Sequence, residues 1–124
     1  MAKKIMVVDD EQDILELVKV ILESEGFEVR AFINAKEALA ELEKGNCPDL
    51  LILDIRMPQI SGYDFCKIVR KNKKLDSLKI AVFTASSNLG QSFLELNHNV
   101  IGFISKPFDN KKLVSDVKKY LGIS

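Results

Sequence analysis

The chain has no tryptophan, one histidine, two cysteines and three prolines among its 124 residues. Each scarcity removes a class of protein. Cys47 and Cys66 are too few for a disulfide framework, and neither sits in a C-x-x-C pair, so neither a stapled scaffold nor a zinc site is indicated. The lone histidine, His98, lies between Asn97 and Asn99 and reads as a solvated loop residue. No apolar run approaches the roughly 20 residues that cross a bilayer. The short apolar stretch after Lys4 runs straight into acids, unlike a secretion signal. A cytoplasmic location without membrane insertion is therefore expected, and one domain over residues 1–124 is expected from the length.

Net charge is zero but unevenly laid out. Residues 1–44 carry 11 acids against 6 bases, and residues 45–124 carry 7 against 12. Clustered bases such as Lys67, Arg70, Lys71, Lys73 and Lys74 attract phosphates in principle. Here they fall on the polar faces of amphipathic helices, with no groove-reading motif or aromatic interleaving. Direct nucleic-acid binding is not expected.

What the chain does have is a series of short apolar runs, each closed by a polar residue. I-M-V-V meets Asp9 and Asp10, L-L-I-L meets Asp54, I-A-V-F meets Thr84, and G-F-I-S precedes Lys106. Apolar runs of this length between turn signals mark buried parallel strands. The pattern predicts strands at 4–8, 28–32, 49–53, 79–83 and 100–104. The second is the most polar and belongs nearer an edge; the third is the most hydrophobic and belongs at the centre. Helices are predicted over 13–24, with Ile14, Leu17, Val18, Ile21 and Leu22 on one stripe, and over 63–71 and 89–97. Another runs from an Asn34 cap, with Glu37 completing a capping box, to Gly45. A last one follows an Asp109 cap and carries Leu113, Val114, Val117 and Leu121 on one side. Alternation of this kind predicts a single-domain α/β fold: a doubly wound five-stranded parallel sheet of flavodoxin-like order 2-1-3-4-5 with five helices.

Ligands of such sheets bind outside the carboxyl ends of the strands. Asp9, Asp10, Asp54, Thr84 and Lys106 should therefore converge on one rim. Crowded carboxylates repel and call for a cation, and a hard ion held by oxygen, Mg²⁺ above all, suits them alongside a phosphoryl group. Singly, each residue has a plainer reading. Asp10 reads equally well as a helix N-cap, Thr84 as a β-branched strand residue, and Lys106 as a snorkelling surface lysine. Pro107 makes the last less ordinary, because a K-P pair at a strand end can aim the lysine through a cis bond.

The segments V-V-D-D-E, L-D-I-R-M-P, F-T-A-S and F-I-S-K-P-F-D carry a resemblance. They are separated by 44 residues from Asp10 to Asp54, 30 on to Thr84 and 22 on to Lys106. Over its whole length the chain resembles the receiver domain of two-component response regulators, of the single-domain chemotaxis-regulator type. The resemblance implies that Asp54 is the phosphoacceptor and that Asp9, Asp10, Asp54 and the backbone carbonyl of Arg56 hold Mg²⁺. It further implies that Thr84 and Lys106 bind the phosphoryl oxygens and that Thr84 and Phe103 switch together. On this reading the chain is a stand-alone phosphorelay switch rather than an enzyme in the ordinary sense. It would catalyse its own phosphorylation from a histidine kinase or histidine phosphotransfer protein and signal to an unidentified downstream protein. It would be a monomer or a weak phosphorylation-dependent dimer. Ile14, Pro107 and Phe108 are candidate apolar contacts for the donor.

Several positions depart from the family's commonest pattern. Phe103 stands where a tyrosine is frequent, so no phenol hydroxyl there can report the ring's position. H-N-V replaces A-G-A before the fifth strand, with Asn99 expected to supply the left-handed backbone of the glycine. Arg56 and Ser86 lie two beyond Asp54 and Thr84, and Arg56 cannot accept a proton from an attacking water, which implies slow self-dephosphorylation. Flavin binding is disfavoured because D-D-E would repel the phosphate. An aspartyl phosphatase would carry an acid where Arg56 stands. A pseudo-receiver scaffold, not phosphorylated, is the remaining alternative.

Overall fold

The computed structural model describes residues 2–57 and 59–123. Strands β1 (Lys4–Val8), β2 (Glu28–Phe32), β3 (Leu50–Asp54), β4 (Ile80–Thr84) and β5 (Val100–Ser105) alternate with helices. The helices are α1 (Gln12–Ser24), α2 (Ala35–Glu43), α3 (Gly62–Lys71), α4 (Ser87–Leu96) and α5 (Asn110–Leu121). All strand pairs are parallel and the order is β2-β1-β3-β4-β5, as the sequence predicts. The predicted ranges of β1 and β2 stand, as do the ends of α1 and α3 and the start of β5, and the other boundaries shift by one or two residues. Asp54 and Thr84 are the last residues of their strands rather than the first residues beyond them.

Burial follows from the pleat. β3 and β4 are buried along their whole length, whereas β2 and β5 expose alternate residues as edge strands do. Successive strand residues point to opposite faces, which divides the apolar side chains into two cores. Met6, Val8, Leu51, Leu53, Ile80 and Val82 face α2, α3 and α4. Ile5, Val7, Leu50, Ile52, Ala81, Phe83 and Ile104 face α1 and α5. Each fully buried Leu, Ile or Phe contributes about 1.5–3 kcal/mol of transfer free energy.

The helix stripes need two corrections. On α1 the buried residues are Leu15, Val18, Ile21 and Leu22, with Leu17 46% exposed, so Leu15 takes the place of Leu17 in the stripe. On α2, Asn34 caps by accepting the N–H of Lys36, one residue short of the capping-box position, so the expected reciprocal box is not the cap that forms. α5 behaves as predicted: Asp109 accepts the N–H of Lys112 at 2.8 Å, and Leu113, Val117 and Leu121 are buried. A short 3₁₀ turn, Lys73–Leu75, follows α3 and was not expected.

The joint between α4 and β5 is built differently from the expectation. Asn99 does not adopt a left-handed backbone; among the described non-glycine residues only Gln59 does. Its side chain is buried, and its Nδ2 donates to the carbonyls of Leu75 at 2.9 Å and Leu78 at 2.8 Å. Asn97 donates to the Cys66 carbonyl at 2.7 Å and accepts the N–H of Asn99 at 2.9 Å. Two buried amides thus tie this joint to the middle of α3 and to the 3₁₀ turn. His98 is exposed between them. Cys66 is buried in α3, while Cys47 is exposed ahead of β3, at the end of the sheet away from Asp54.

Candidate functional site

Every candidate residue is delivered by the end of a strand. β1 ends at Val8, and the turn into α1 presents Asp9 and Asp10. β3 ends on Asp54, β4 on Thr84, and Lys106 follows β5. Because β1 and β3 are direct neighbours, the carboxylates of Asp9, Asp10 and Asp54 meet, each offering one oxygen within 4.8 Å of the others. Asp9 is fully buried, Asp54 is nearly so, and Asp10 is exposed at the rim. Three hard oxygen donors this close form a set that suits a hard divalent cation.

Lys106 supplies the positive charge. Its Nζ donates to Asp9 Oδ2 at 2.8 Å and stands 3.5 Å from Asp54 Oδ1 and 3.8 Å from Glu11 Oε1. It also lies over the Phe83 ring, 4.9 Å from the centroid, and Phe108 stacks on the same ring. The Lys106 N–H donates to the Thr84 carbonyl at 2.9 Å, so the backbone as well as the side chain is held in place; the Lys106–Pro107 bond is cis.

One ammonium does not balance three carboxylates. Burial, and next the charge of Asp9, push the Asp54 carboxyl up to about 7; Lys106 and the N–H of Arg56, 3.4 Å from Oδ1, pull the other way. For Lys106, burial disfavours the charged form, but the hydrogen bond to Asp9 and the charges of Asp54 and Asp9 outweigh it, and its pKa is raised. The pair therefore reads as a well-held ammonium beside a carboxyl short of positive charge.

Thr84 is at the site, but its hydroxyl is engaged with the loop that follows. It accepts the Ser86 N–H at 3.0 Å and donates to the Ser86 carbonyl at 3.3 Å. Ser86 in turn caps α4 by accepting the N–H of Leu89. A cleft of about 250 Å³ opens over Asp54, lined by Glu11, Arg56, Thr84, Ser86, Leu89 and Lys106. Phe103 lies outside it, half-buried against Gly90 of α4. Of the donor-contact candidates, Pro107 is exposed and Ile14 and Phe108 are half-buried.

Two residues of the site went unassigned in the sequence. Glu11 was noted only as the tail of D-D-E, although it is the third carboxylate around Lys106. By sequence, Phe83 is one more strand residue in I-A-V-F. Its signal was register: in parallel pairing Phe83 lies opposite Asp54, which places its ring where a cation comes in.

Fold and site together define a flavodoxin-like α/β protein with an acidic, cation-ready pocket at the point where its strand order reverses. The chain belongs to the response regulator receiver domain family, whose model matches residues 5–118. It is 35% identical over 121 residues to the phosphate regulon transcriptional regulatory protein PhoB of Rhizobium meliloti, covering 98% of this chain and 53% of that protein. It is 36% identical over 123 residues to the alkaline phosphatase synthesis transcriptional regulatory protein PhoP of Bacillus subtilis, covering 98% of this chain and 49% of that one. The chain thus spans about half the length of these curated relatives. Among solved structures it is similar to a putative response regulator from Chloroflexus aurantiacus, with a TM-score of 0.86, 32% identity, and 98% and 99% of the two chains covered. It is also similar to the chemotaxis response regulator CheY4 of Vibrio cholerae, with a TM-score of 0.87, 27% identity, and 97% and 99% covered. No helix among the described residues is long and apolar enough to cross a membrane.

Proposed function

We propose that this receiver domain accepts a phosphoryl group on Asp54 from the phosphohistidine of a histidine kinase or phosphotransfer protein, with Mg²⁺ as cofactor. The observation that carries the reading is the meeting of Asp9, Asp10 and Asp54 within 4.8 Å, with the Lys106 ammonium against Asp9 and Asp54 and a cleft open above. Asp9, Asp10 and Asp54, with the backbone carbonyl of Arg56, would hold the ion. When bound, Mg²⁺ supplies positive charge to Asp54 and to the transferring phosphoryl oxygens.

In the transfer, a carboxylate oxygen of Asp54 bonds to phosphorus as the bond from phosphorus to the donor imidazole breaks, and the imidazole leaves with that electron pair. Lys106 keeps its hold on Asp9 and turns its remaining donors to the phosphoryl oxygens, offsetting the charge that develops there. The product dianion needs a further donor. Thr84 provides it by leaving the Ser86 carbonyl, a weak 3.3 Å bond, and turning its hydroxyl toward the phosphoryl group. The space it leaves favours an inward turn of Phe103, which shifts the population of the surface formed by α4, β5 and α5. A downstream protein reads that surface. The proposal concerns the described residues and holds whether the chain acts by itself or as part of a longer regulator.

Incubation with Mg²⁺ and acetyl phosphate tests it. Intact mass of the wild type should rise by one phosphoryl group and that of Asp54→Asn should not; an unmodified wild type would favour the non-phosphorylated scaffold.

A further inference from the structure

β5 is an edge strand, and its outer backbone groups have no neighbouring strand to pair with. At Phe103 both of these groups are met by one side chain. The Tyr120 hydroxyl, from the last turn of α5, accepts the Phe103 N–H at 3.2 Å and donates to the Phe103 carbonyl at 2.9 Å. A phenol has one donor and two acceptor sites, so this single oxygen clasps both ends of one residue. The clasp depends on glycine. A Cβ on Gly102 would overlap the Cε1–Cζ edge and hydroxyl of the Tyr120 ring, so only a residue without a side chain lets the ring pass over the strand. Lys119 covers the ring's surroundings, its Nζ 5.7 Å from the centroid.

On the opposite face of the same strand the arrangement repeats. A Cβ on Gly90 of α4 would overlap the ring of Phe103. Gly102 and Gly90 therefore each open a slot for an aromatic ring, and β5 is held between Tyr120 of α5 on one side and α4 on the other. Phe103 sits at the crossing: its side chain lies against α4 while its main chain is bound to α5.

We infer that Tyr120 is a positioning residue for the Phe103 switch, holding the Phe103 main chain in its resting place and coupling that place to α5. The inference rests on the receiver reading above. An inward turn of the ring toward the space vacated by Thr84 draws the Phe103 main chain with it, away from the hydroxyl, and stretches both bonds. The hydroxyl therefore favours the resting state. Because coupling is reciprocal, what holds Phe103 at rest also resists phosphorylation of Asp54, and phosphorylation loosens the β5–α5 contact.

Tyr120→Phe keeps the ring and removes the hydroxyl, and Gly102→Ala keeps the hydroxyl but displaces the ring. In both, hydrogen exchange at the Phe103 amide should quicken about fivefold, the worth of one net hydrogen bond. The Lys106 amide, which donates inward to Thr84, should exchange as before. Phosphoryl incorporation from acetyl phosphate with Mg²⁺, followed by intact mass, should be on the order of threefold faster than in wild type. A quickened Phe103 amide with unchanged incorporation would reduce Tyr120 to an edge cover and overturn the inference, and so would an unchanged Phe103 amide. Both outcomes leave a wild type that is phosphorylated. A wild type that takes no phosphoryl group would instead remove the reading of the site, and the inference with it.

Discussion

Asp54 is held in a place its charge does not favour. Its acid strength is displaced from 3.8 to about 7 by burial and by Asp9, so between about pH 4 and pH 7 the folded chain keeps a proton that the unfolded chain has released. Folding then takes up a proton, and this group's contribution to stability falls as pH rises through that window, reaching its full penalty above about 7. Asp54→Asn removes the penalty. Melting curves in EDTA should show the variant more stable than wild type by about 1–3 kcal/mol at pH 8, the difference shrinking toward pH 4. Equal stability at both pH values would mean that the carboxyl is less crowded than the geometry indicates. Two residues away, Arg56 is exposed beside the cleft and offers water no acceptor. Its replacement by asparagine supplies an amide oxygen that can orient an attacking water. Loss of the phosphoryl group from Asp54 should then speed up several-fold, on the order of a positioning contact worth about 1 kcal/mol, as read by the decay of the phosphorylated mass after donor removal.

Elements were legible where a single period governed them. The buried runs of β3 and β4 and the Asp109-capped α5 could be placed because hydrophobicity and capping agreed. The convergence of Asp9, Asp10, Asp54, Thr84 and Lys106 followed from the rule that strand tips share a rim. What sequence could not give was the work of side chains reaching across elements. Asn99 looked like a substitute for a turn glycine, yet it is an internal bracket whose amide faces three carbonyls, those of Leu75, Asp76 and Leu78. Nothing in local spacing announces contacts made 21 to 24 residues away. Tyr120 was hidden for the same reason, its hydroxyl spent on a strand 17 residues earlier. The bracket makes a sharp prediction. Asn99→Ala should lower stability by about 2 kcal/mol in urea unfolding, and Asn99→Asp should be worse despite its closer shape. A carboxylate there would face carbonyl oxygens with no donor to offer.

At the scale of the molecule, the pocket occupies one end of the sheet, and the apolar residues near it form the surface on which the proposed function seats a donor. Ile14 of α1, exposed Pro107 and half-buried Phe108 flank the strand tips, and Leu17 and Val20 extend the apolar strip along α1. Ile14→Ala should raise the KM for the phosphorylated kinase domain about fivefold, the effect of one modest interface contact. An unchanged KM would move the docking surface elsewhere. At the opposite end of the sheet Cys47 stands exposed, while burial in α3 pushes the Cys66 thiol up to about 12. Burial also raises the Cys47 thiol, to a lesser degree. Of the two thiols, maleimide at near-neutral pH therefore has one accessible target, Cys47. A dye attached there rides on the rim remote from Asp54, so its polarisation would follow partner capture without an engineered handle and without crowding the acidic cluster.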